Sequence, residues 1–150
     1  MISAAIERYC NYQERCHQEV RRKLAELGCY YEDQDPYIAE LIEKGLLNEE
    51  RFARAFARGR FRIRHWGVNK IRYELKQRKV SDYCIRKGLE EIDADEYESV
   101  MRQLIERKLY ENAVKKSPEP VRRQKVVRFM AQKGFETDRV IDIINDFQKS

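Results

Sequence analysis

The sequence of 150 residues predicts an all-α fold of tandem three-helix repeats, about three in number, in an elongated and curved array. Apolar residues recur at steps of three and four along most of the chain, and no stretch keeps the two-residue alternation of a strand. A similar segment also occurs three times, starting at Val20, Ile71 and Val126. Because each unit of such an array packs only on its neighbours, we expect an extended shape.

The N-terminal segment carries one helical stripe of apolar residues that runs from Ile6 to Leu27. This stripe fits either one long helix or two short helices that break near residues 15–17. Gly28 follows the last apolar residue of the stripe. A Gly in that position is typical of a helix that ends in the left-handed conformation.

Two further helices complete the first predicted repeat. Pro36 is suited to the first turn of a helix over residues 36–44, which Gly45 would end. Asn48 can cap the next helix, over residues 48–60, through its side-chain oxygen. The residues that we expect these helices to bury are Ile38, Leu41, Ile42, Phe52, Ala55, Phe56 and Ile63.

The later repeats follow the same order of helices, which we predict over residues 81–92, 93–108 and 137–147. Asp93 and Glu96 have the spacing of a capping box. The Pro-containing segment 117–120 separates the last two repeats, since prolines there interrupt a helix. We therefore predict an N-terminal helix with the first repeat, a second repeat and a truncated third repeat, at residues 1–64, 65–116 and 117–150.

The positive charge of the chain is concentrated in one window. The net charge is +5, but residues 51–80 alone hold 11 basic side chains and 1 acidic side chain, which gives +10. A charge run is often a solvated helix face, yet this one lacks the alternating signs of such a face and fits an acidic partner surface equally well. The predicted binding residues are Arg51, Arg54, Arg58, Arg60, Arg62, Arg64, Lys70, Arg72 and Arg78.

Helical spacing organises the first half of this window. Arg51, Arg54, Arg58 and Arg62 would share one side of a continuous helix, so a basic face could stay in water while the apolar face packs. Trp66, the only Trp in the chain, is either a core plug between repeats or an exposed stacking platform. Its position near a turn favours the core plug.

The sequence shows no catalytic constellation, and we predict a protein that is not an enzyme and uses no cofactor. It has neither a Gly-rich phosphate loop nor a nucleophile with a base at a defined spacing. Cys10, Cys16 and His17 could be built into a metal site, but no fourth ligand is indicated, so no metal is predicted. The cysteine spacing, the lack of a secretory signal and the lack of a membrane-length apolar run predict a cytoplasmic protein.

Three motifs resemble those of the RecX family, the bacterial regulators of the RecA recombinase. The first is Gly45-Leu46-Leu47-Asn48-Glu49-Glu50-Arg51-Phe52-Ala53. The second is Gly67 followed by Lys70, Ile71 and Leu75, and the third is Arg128-Phe129-Met130-Ala131-Gln132-Lys133-Gly134-Phe135. The motifs stand in the family's order, and the resemblance covers roughly residues 3–147.

The sequence departs from the family pattern at several helix ends. Asn48 stands where the family usually has Asp, and Lys79 stands where the second repeat usually has Gly. Lys133 replaces an Arg, and Cys16 replaces a Ser-containing cap before Glu19. Asn caps a helix as Asp does, so the fold is not threatened at Asn48, whereas the predicted helix start at Cys16 is weakened.

The resemblance implies a fold of three-helix repeats and a function in homologous recombination and DNA repair, including the SOS response. A member of this family would bind the RecA–DNA filament and inhibit its ATPase and strand-exchange activity, with a curved array lying in the filament's helical groove. We expect a monomer that does not bind membranes. Two other hypotheses stay open: direct binding of single- or double-stranded DNA by the basic residues, and a helical scaffold for an unrelated partner.

Overall fold

The computed structural model describes residues 1–149, which form helices and no strand. This confirms the predicted all-α fold, while the elongation and curvature of the array stay predictions. A short 3₁₀ turn, Tyr31–Asp33, lies between the second and third helices. The helices in chain order are α1 (Ile2–Tyr12), α2 (His17–Glu26), α3 (Asp35–Glu43), α4 (Glu49–Arg64), α5 (Val68–Gln77), α6 (Asp82–Leu89), α7 (Ala94–Leu109), α8 (Asn112–Lys115), α9 (Glu119–Lys133) and α10 (Thr137–Lys149).

The helix starts follow the capping signals in the sequence. The N-terminal stripe is divided between two helices, and the Cys16 backbone N–H donates to the Glu19 carboxylate over 3.0 Å at the start of α2. The Asn48 side-chain oxygen accepts the N–H of Arg51 over 2.9 Å, and Asp93 caps α7 in the same way. These bonds satisfy backbone donors that the first turn of a helix leaves unpaired.

Two helix ends differ from the prediction by three or more residues. The fourth helix continues past residue 60 to Arg64, and the sixth helix ends at Leu89 rather than at residue 92. The predicted break at residues 117–120 is confirmed, because α8 ends at Lys115 and α9 begins at Glu119. Helix α4 is longer than predicted because Arg has good helix propensity and neither Gly nor Pro stands between residue 60 and Trp66.

The threefold repeat seen in the sequence is present in the backbone. Gly28, Lys79 and Gly134 occupy equivalent positions of the three similar segments, and all three have positive φ, at 92°, 62° and 98°. In each case the next backbone N–H donates to the carbonyl five residues earlier, over 2.8, 3.1 and 3.0 Å. This is the Schellman bond of a helix end. The residues that donate it, Cys29, Val80 and Phe135, are all buried.

The chain divides into two compact units that do not coincide with the three predicted domains. The first unit consists of Met1–Arg58 and Glu74–Glu91. The second unit consists of Gly59–Tyr73 and the chain from Ile92 onward. Helices α4 and α5 each contribute residues to both units. The division into three repeat domains stays a prediction.

The first unit packs its core from the stripes of α1, α2 and α3. Ile6, Leu24 and Leu41 are at most 1% exposed. The prediction that Ile42 is a core residue is wrong, because it is 48% exposed. Ile42 lies at the edge of the narrow stripe that Ile38 and Leu41 form, and a helix of nine residues buries only one such stripe.

The predicted packing side of α4 is only partly confirmed. Phe52 and Phe56 are buried, and Ala55 is half-buried. Ile63, which was expected on the same side, is 82% exposed, so that prediction is wrong. Ile63 belongs to the second unit, whose core takes Phe61 from this helix instead.

The second unit is centred on a column of three aromatic rings. The ring of Tyr97 lies 5.6 Å from that of Phe61 and 5.3 Å from that of Phe135, measured between centroids. The Tyr97 hydroxyl donates to the Glu136 carboxylate over 2.5 Å and accepts the backbone N–H of Val68 over 3.1 Å. Burial is the main reason that the pKa of Tyr97 is raised, so the hydroxyl stays a donor at neutral pH.

A backbone clamp joins the start of α5 to the end of α9. The N–H of Gly67 donates to the Lys133 carbonyl over 2.7 Å, and the N–H of Asn69 donates to the Gly134 carbonyl over 2.9 Å. A Cβ on Gly67 would stand 2.3 Å from the Gly134 carbonyl carbon, and a Cβ on Gly134 would stand 2.3 Å from Cβ of Lys70. Only glycines therefore fit at both positions.

Candidate functional site

Arg51, the first of the predicted binding residues, is held by groups of the first unit. Its Nε lies 2.6 Å from a carboxylate oxygen of Glu14, and its Nη2 donates to the Gly45 carbonyl over 2.9 Å. Both bonds start from the guanidinium, so two of its five N–H donors are used inside the unit. The charge of Arg51 is thus offset by Glu14.

The next two arginines of α4 share carboxylates at the end of α6. Arg54 contacts Glu50 and Glu91, each over 3.1 Å, and lies 3.9 Å from Glu90. Arg58 contacts the other oxygen of Glu91. The hydrogen bond to Glu50 is the largest cause of a raised pKa at Arg54. Carboxylates therefore neutralise these two arginines within the first unit.

Arg78 completes the set of predicted binding residues in the first unit, and it is also paired. It contacts Glu74 over 3.1 Å along α5, and its guanidinium lies 4.8 Å from the ring centroid of Phe56. The stacking on the Phe56 ring and the ion pair with Glu74 both hold the Arg78 side chain in place within the first unit. Every predicted binding residue of the first unit therefore has a carboxylate partner.

The predicted binding residues of the second unit are less neutralised. Arg62 lies 3.5 Å from Glu96, and Arg72 donates to the side chain of Asn69 over 3.1 Å. Within residues 1–149, neither Arg64 nor Arg72 makes an ion pair, and Arg64 is exposed. These cations keep charge that a partner can use.

Trp66 lies among cations at the turn between α4 and α5. Its ring centroid is 4.6 Å from the Lys70 ammonium and 5.4 Å from the Arg60 guanidinium carbon. Trp66 is half-buried, so it is neither the buried plug nor the fully exposed platform that the sequence left open. Cations on an aromatic face are stabilised by the ring quadrupole, which holds Lys70 and Arg60 in place.

Lys133 is a basic residue at this turn that the charge window did not include. Its Nζ donates to the Arg64 carbonyl over 3.3 Å. Burial, and then repulsion from Lys70, lower the pKa of Lys133. The third family motif, in which Lys133 precedes Gly134, was the sequence signal for it. We refer to Arg60, Arg64, Trp66, Lys70 and Lys133 as the Trp66 cluster.

The side chains considered for metal binding do not gather into a site. No group of three His, Cys, Asp or Glu residues able to hold a metal ion occurs in the part of the chain that the structure describes. Cys10 and Cys16 are buried, and burial raises the pKa of the Cys16 thiol to about 11. A thiol with that pKa stays protonated at neutral pH and is a poor nucleophile and ligand.

None of the helices described within residues 1–149 combines the length and the apolar character that a membrane crossing requires.

Comparison with known proteins gives consistent matches along the chain. Residues 48–89 match the profile of the second three-helix domain of RecX, and residues 95–144 match that of the third. The chain is 33% identical to regulatory protein RecX of Pseudomonas putida strain GB-1, over 85% of this chain and 79% of that protein. It is 28% identical to regulatory protein RecX of Prosthecochloris aestuarii, over 92% of this chain and 87% of that protein.

A solved structure agrees with the sequence matches. The fold is similar to the crystal structure of RecX from Lactobacillus salivarius, with a TM-score of 0.86 and 21% identity. That likeness covers 99% of this chain and 96% of the other. At this identity the structural match shows the fold, and the matches to the two domain profiles and to the Pseudomonas protein show the family. The chain belongs to the RecX family of regulatory proteins.

Proposed function

We propose that this regulatory protein acts on the RecA recombinase: it binds the RecA–DNA filament and inhibits ATP hydrolysis and strand exchange, and thereby modulates recombination and DNA repair. The proposal rests on membership of the RecX family, because the resemblance to that family implies RecA as the partner. The protein needs no catalytic group for this activity, since binding alone can shift a filament between functional states.

The Trp66 cluster supplies the first contact in this proposal. Lys70 and Lys133 make no ion pair within the described chain, and Arg64 is exposed beside them. Cations without carboxylate partners gain the most from an acidic protein surface or from DNA phosphate, because no internal ion pair must be given up. The remaining predicted residues, from Arg51 to Arg78, stay predictions as binding residues.

The test is RecA ATP hydrolysis on single-stranded DNA, titrated with this protein at constant salt. Binding of the protein to the same DNA without RecA is followed in parallel by fluorescence anisotropy. We expect inhibition at concentrations that leave the bare DNA unbound. Full ATP hydrolysis at saturating protein would contradict the proposal.

Direct binding of DNA is the second candidate function, and the Trp66 cluster also favours it. The cluster joins cations to a half-buried aromatic ring, which is a combination found where single strands are bound. If about five phosphates are neutralised, log K should fall with log salt at a slope near −4.5. Inhibition that appears only as the DNA becomes coated would favour this account, and a flat salt response would exclude it.

A further inference from the structure

A groove in the second unit is lined by none of the residues of the Trp66 cluster. It has a volume of about 300 Å³ and is lined by the end of α7, by α8 and by the second half of α9. That volume accommodates one or two side chains of a bound segment and is at the low end of ligand sites. The lining residues that matter here are Lys108, Glu111, Val114, Lys125, Arg128 and Phe129.

The apolar part of the groove is formed by Val114 and Phe129. Val114 is 3% exposed and Phe129 is half-buried, so an apolar side chain placed here would remove further carbon surface from water. The ammonium of Lys108 lies 4.7 Å from the Phe129 ring centroid, and that of Lys133 lies 5.8 Å from it. With ammonium groups at the ring, a branched apolar side chain can still contact its edge.

The charge of the groove is positive and only partly offset. Lys108 contacts both oxygens of Glu111 over 3.2 Å, so these two charges cancel. Lys125 donates to the Ser117 hydroxyl over 2.8 Å and makes no ion pair in the described chain. Arg128 is exposed and likewise has no carboxylate partner among residues 1–149. Two cations therefore remain for a ligand.

These features fit a peptide better than a nucleic acid. The guanidinium of Arg128 can hold a carboxylate through two parallel hydrogen bonds, and the Lys125 ammonium can hold a second one. The Glu111 carboxylate has lone pairs left to accept a backbone N–H, which a peptide offers and a phosphate backbone does not.

We propose that this groove is a second interaction site, which binds an acidic peptide segment of a partner protein. Carboxylates of the segment pair with Lys125 and Arg128, and an apolar side chain between them packs on Val114 and Phe129. The inference goes beyond the proposed function, because it holds for any partner that presents such a segment and does not require RecA.

The test uses the full chain and a fluorescein-labelled octapeptide in which Phe and Leu are flanked by Asp and Glu. Fluorescence anisotropy should give a Kd on the order of 10–100 μM. The same peptide with Asn and Gln in place of Asp and Glu should bind about tenfold more weakly, because its charge is removed. The double variant K125E/R128E should also lose about tenfold in affinity or more.

A matched variant separates the groove from general electrostatics. R107E/K116E makes the same change of charge at exposed residues of the second unit that do not line the groove, and it should bind the acidic peptide within about twofold of the wild type. Circular dichroism checks that both variants stay folded.

Three outcomes overturn the inference. The first is an equal loss of affinity for the acidic peptide in the two double variants, and the second is no binding of that peptide up to about 1 mM. The third is that a labelled oligothymidine binds more tightly than the peptide and that K125E/R128E abolishes this binding. Because the experiment contains no RecA, these outcomes leave the RecA proposal standing, and failure of RecA inhibition leaves this one standing.

Discussion

The two compact units differ in how they hold the basic residues of the window 51–80. In the first unit, Arg51, Arg54, Arg58 and Arg78 each contact a carboxylate. In the second unit, Lys70 lies against the Trp66 ring, Lys133 donates to the Arg64 carbonyl, and Arg62 lies near the Glu96 carboxylate. The basic residues of one run in the sequence therefore differ in the charge that they can offer to a partner: those of the first unit are paired with carboxylates, and those of the turn after α4 are less neutralised.

The difference teaches that a charge count over a window does not measure available charge. Arg51 takes its partner Glu14 from 37 residues away, and Arg54 takes Glu91 from the same separation in the other direction. Each pair forms at the surface, where it contributes about 0–1 kcal/mol to stability. The pairs matter more for binding, because a ligand must displace a carboxylate before it can use these arginines.

Disrupting the backbone clamp at Gly134 should have the largest effect, which is on the free energy of unfolding. In Gly134→Ala, the new Cβ meets Lys70 at 2.3 Å and the residue must keep a φ of 98°. Backbone strain and overpacking together should lower the free energy of unfolding by about 3 kcal/mol. Urea denaturation followed by circular dichroism measures the change.

Gly59→Ala is the matched control for that prediction. Gly59 lies within α4, and a Cβ there meets no atom within 4 Å. This variant should raise the free energy of unfolding by about 0.5–1 kcal/mol, since Ala favours a helix over Gly. Wild-type stability of Gly134→Ala would mean that the clamp does not position the turn after α4.

Charge removal tests the comparison between the units directly. Lys70→Gln should raise the concentration needed for half-inhibition of RecA ATP hydrolysis by about fivefold to tenfold, because a cation without a carboxylate partner is lost. Arg58→Gln should change it by less than about twofold, since Glu91 already offsets that charge. Equal effects, or a larger effect of Arg58→Gln, would place the contact on α4 of the first unit.

Local signals were enough to predict most of the fold. Gly28 and Asn48 mark a helix end and a helix start through bonds to their own neighbours, so the sequence around them determines the outcome. Ile63 has the same spacing as Phe52 and Phe56, yet it is exposed. Which side of a helix is buried depends on distant segments, and spacing carries no information about them.

The site was harder to predict than the fold for the same reason. Two carboxylate partners of the arginines, Glu14 and Glu91, follow the ends of α1 and α6 and lie outside the basic window. Lys133 reaches the turn after α4 through the clamp that Gly67 and Gly134 permit, 69 residues from the carbonyl of Arg64 to which it donates. The family motifs contain the glycines that permit this contact, but neither the motifs nor the charge pattern predicted it.

Freeing the paired arginines should have a smaller effect. Glu91→Gln removes the carboxylate that Arg54 and Arg58 share, and it should lower the free energy of unfolding by about 1 kcal/mol. The same change should strengthen binding of bare single-stranded DNA by about twofold to fivefold, since Arg58 loses its carboxylate partner and Arg54 keeps only Glu50 and the longer contact with Glu90.

Glu90→Gln serves as the control for Glu91→Gln. Glu90 is more exposed, and it lies 3.9 Å from Arg54. Its replacement should alter the free energy of unfolding by less than about 0.5 kcal/mol. Weaker DNA binding by Glu91→Gln would show that the pairs with Glu91 hold Arg54 and Arg58 in a useful position rather than masking them.

The smallest expected change in the free energy of unfolding is at the end of α5, where no backbone clamp is present. Lys79 holds a φ of 62°, at the position that Gly134 occupies in the third repeat. Lys79→Gly should relieve left-handed strain of about 1 kcal/mol while adding freedom to the unfolded chain, for a net gain of about 0.5 kcal/mol in unfolding free energy. Lys76→Gly, inside α5, should instead lose about 0.5–1 kcal/mol, because Gly weakens a helix. If urea denaturation showed that both variants are destabilised alike, the left-handed conformation of Lys79 would carry no strain. The close approach of Lys70 would then be the sole reason that Gly134 must be a glycine.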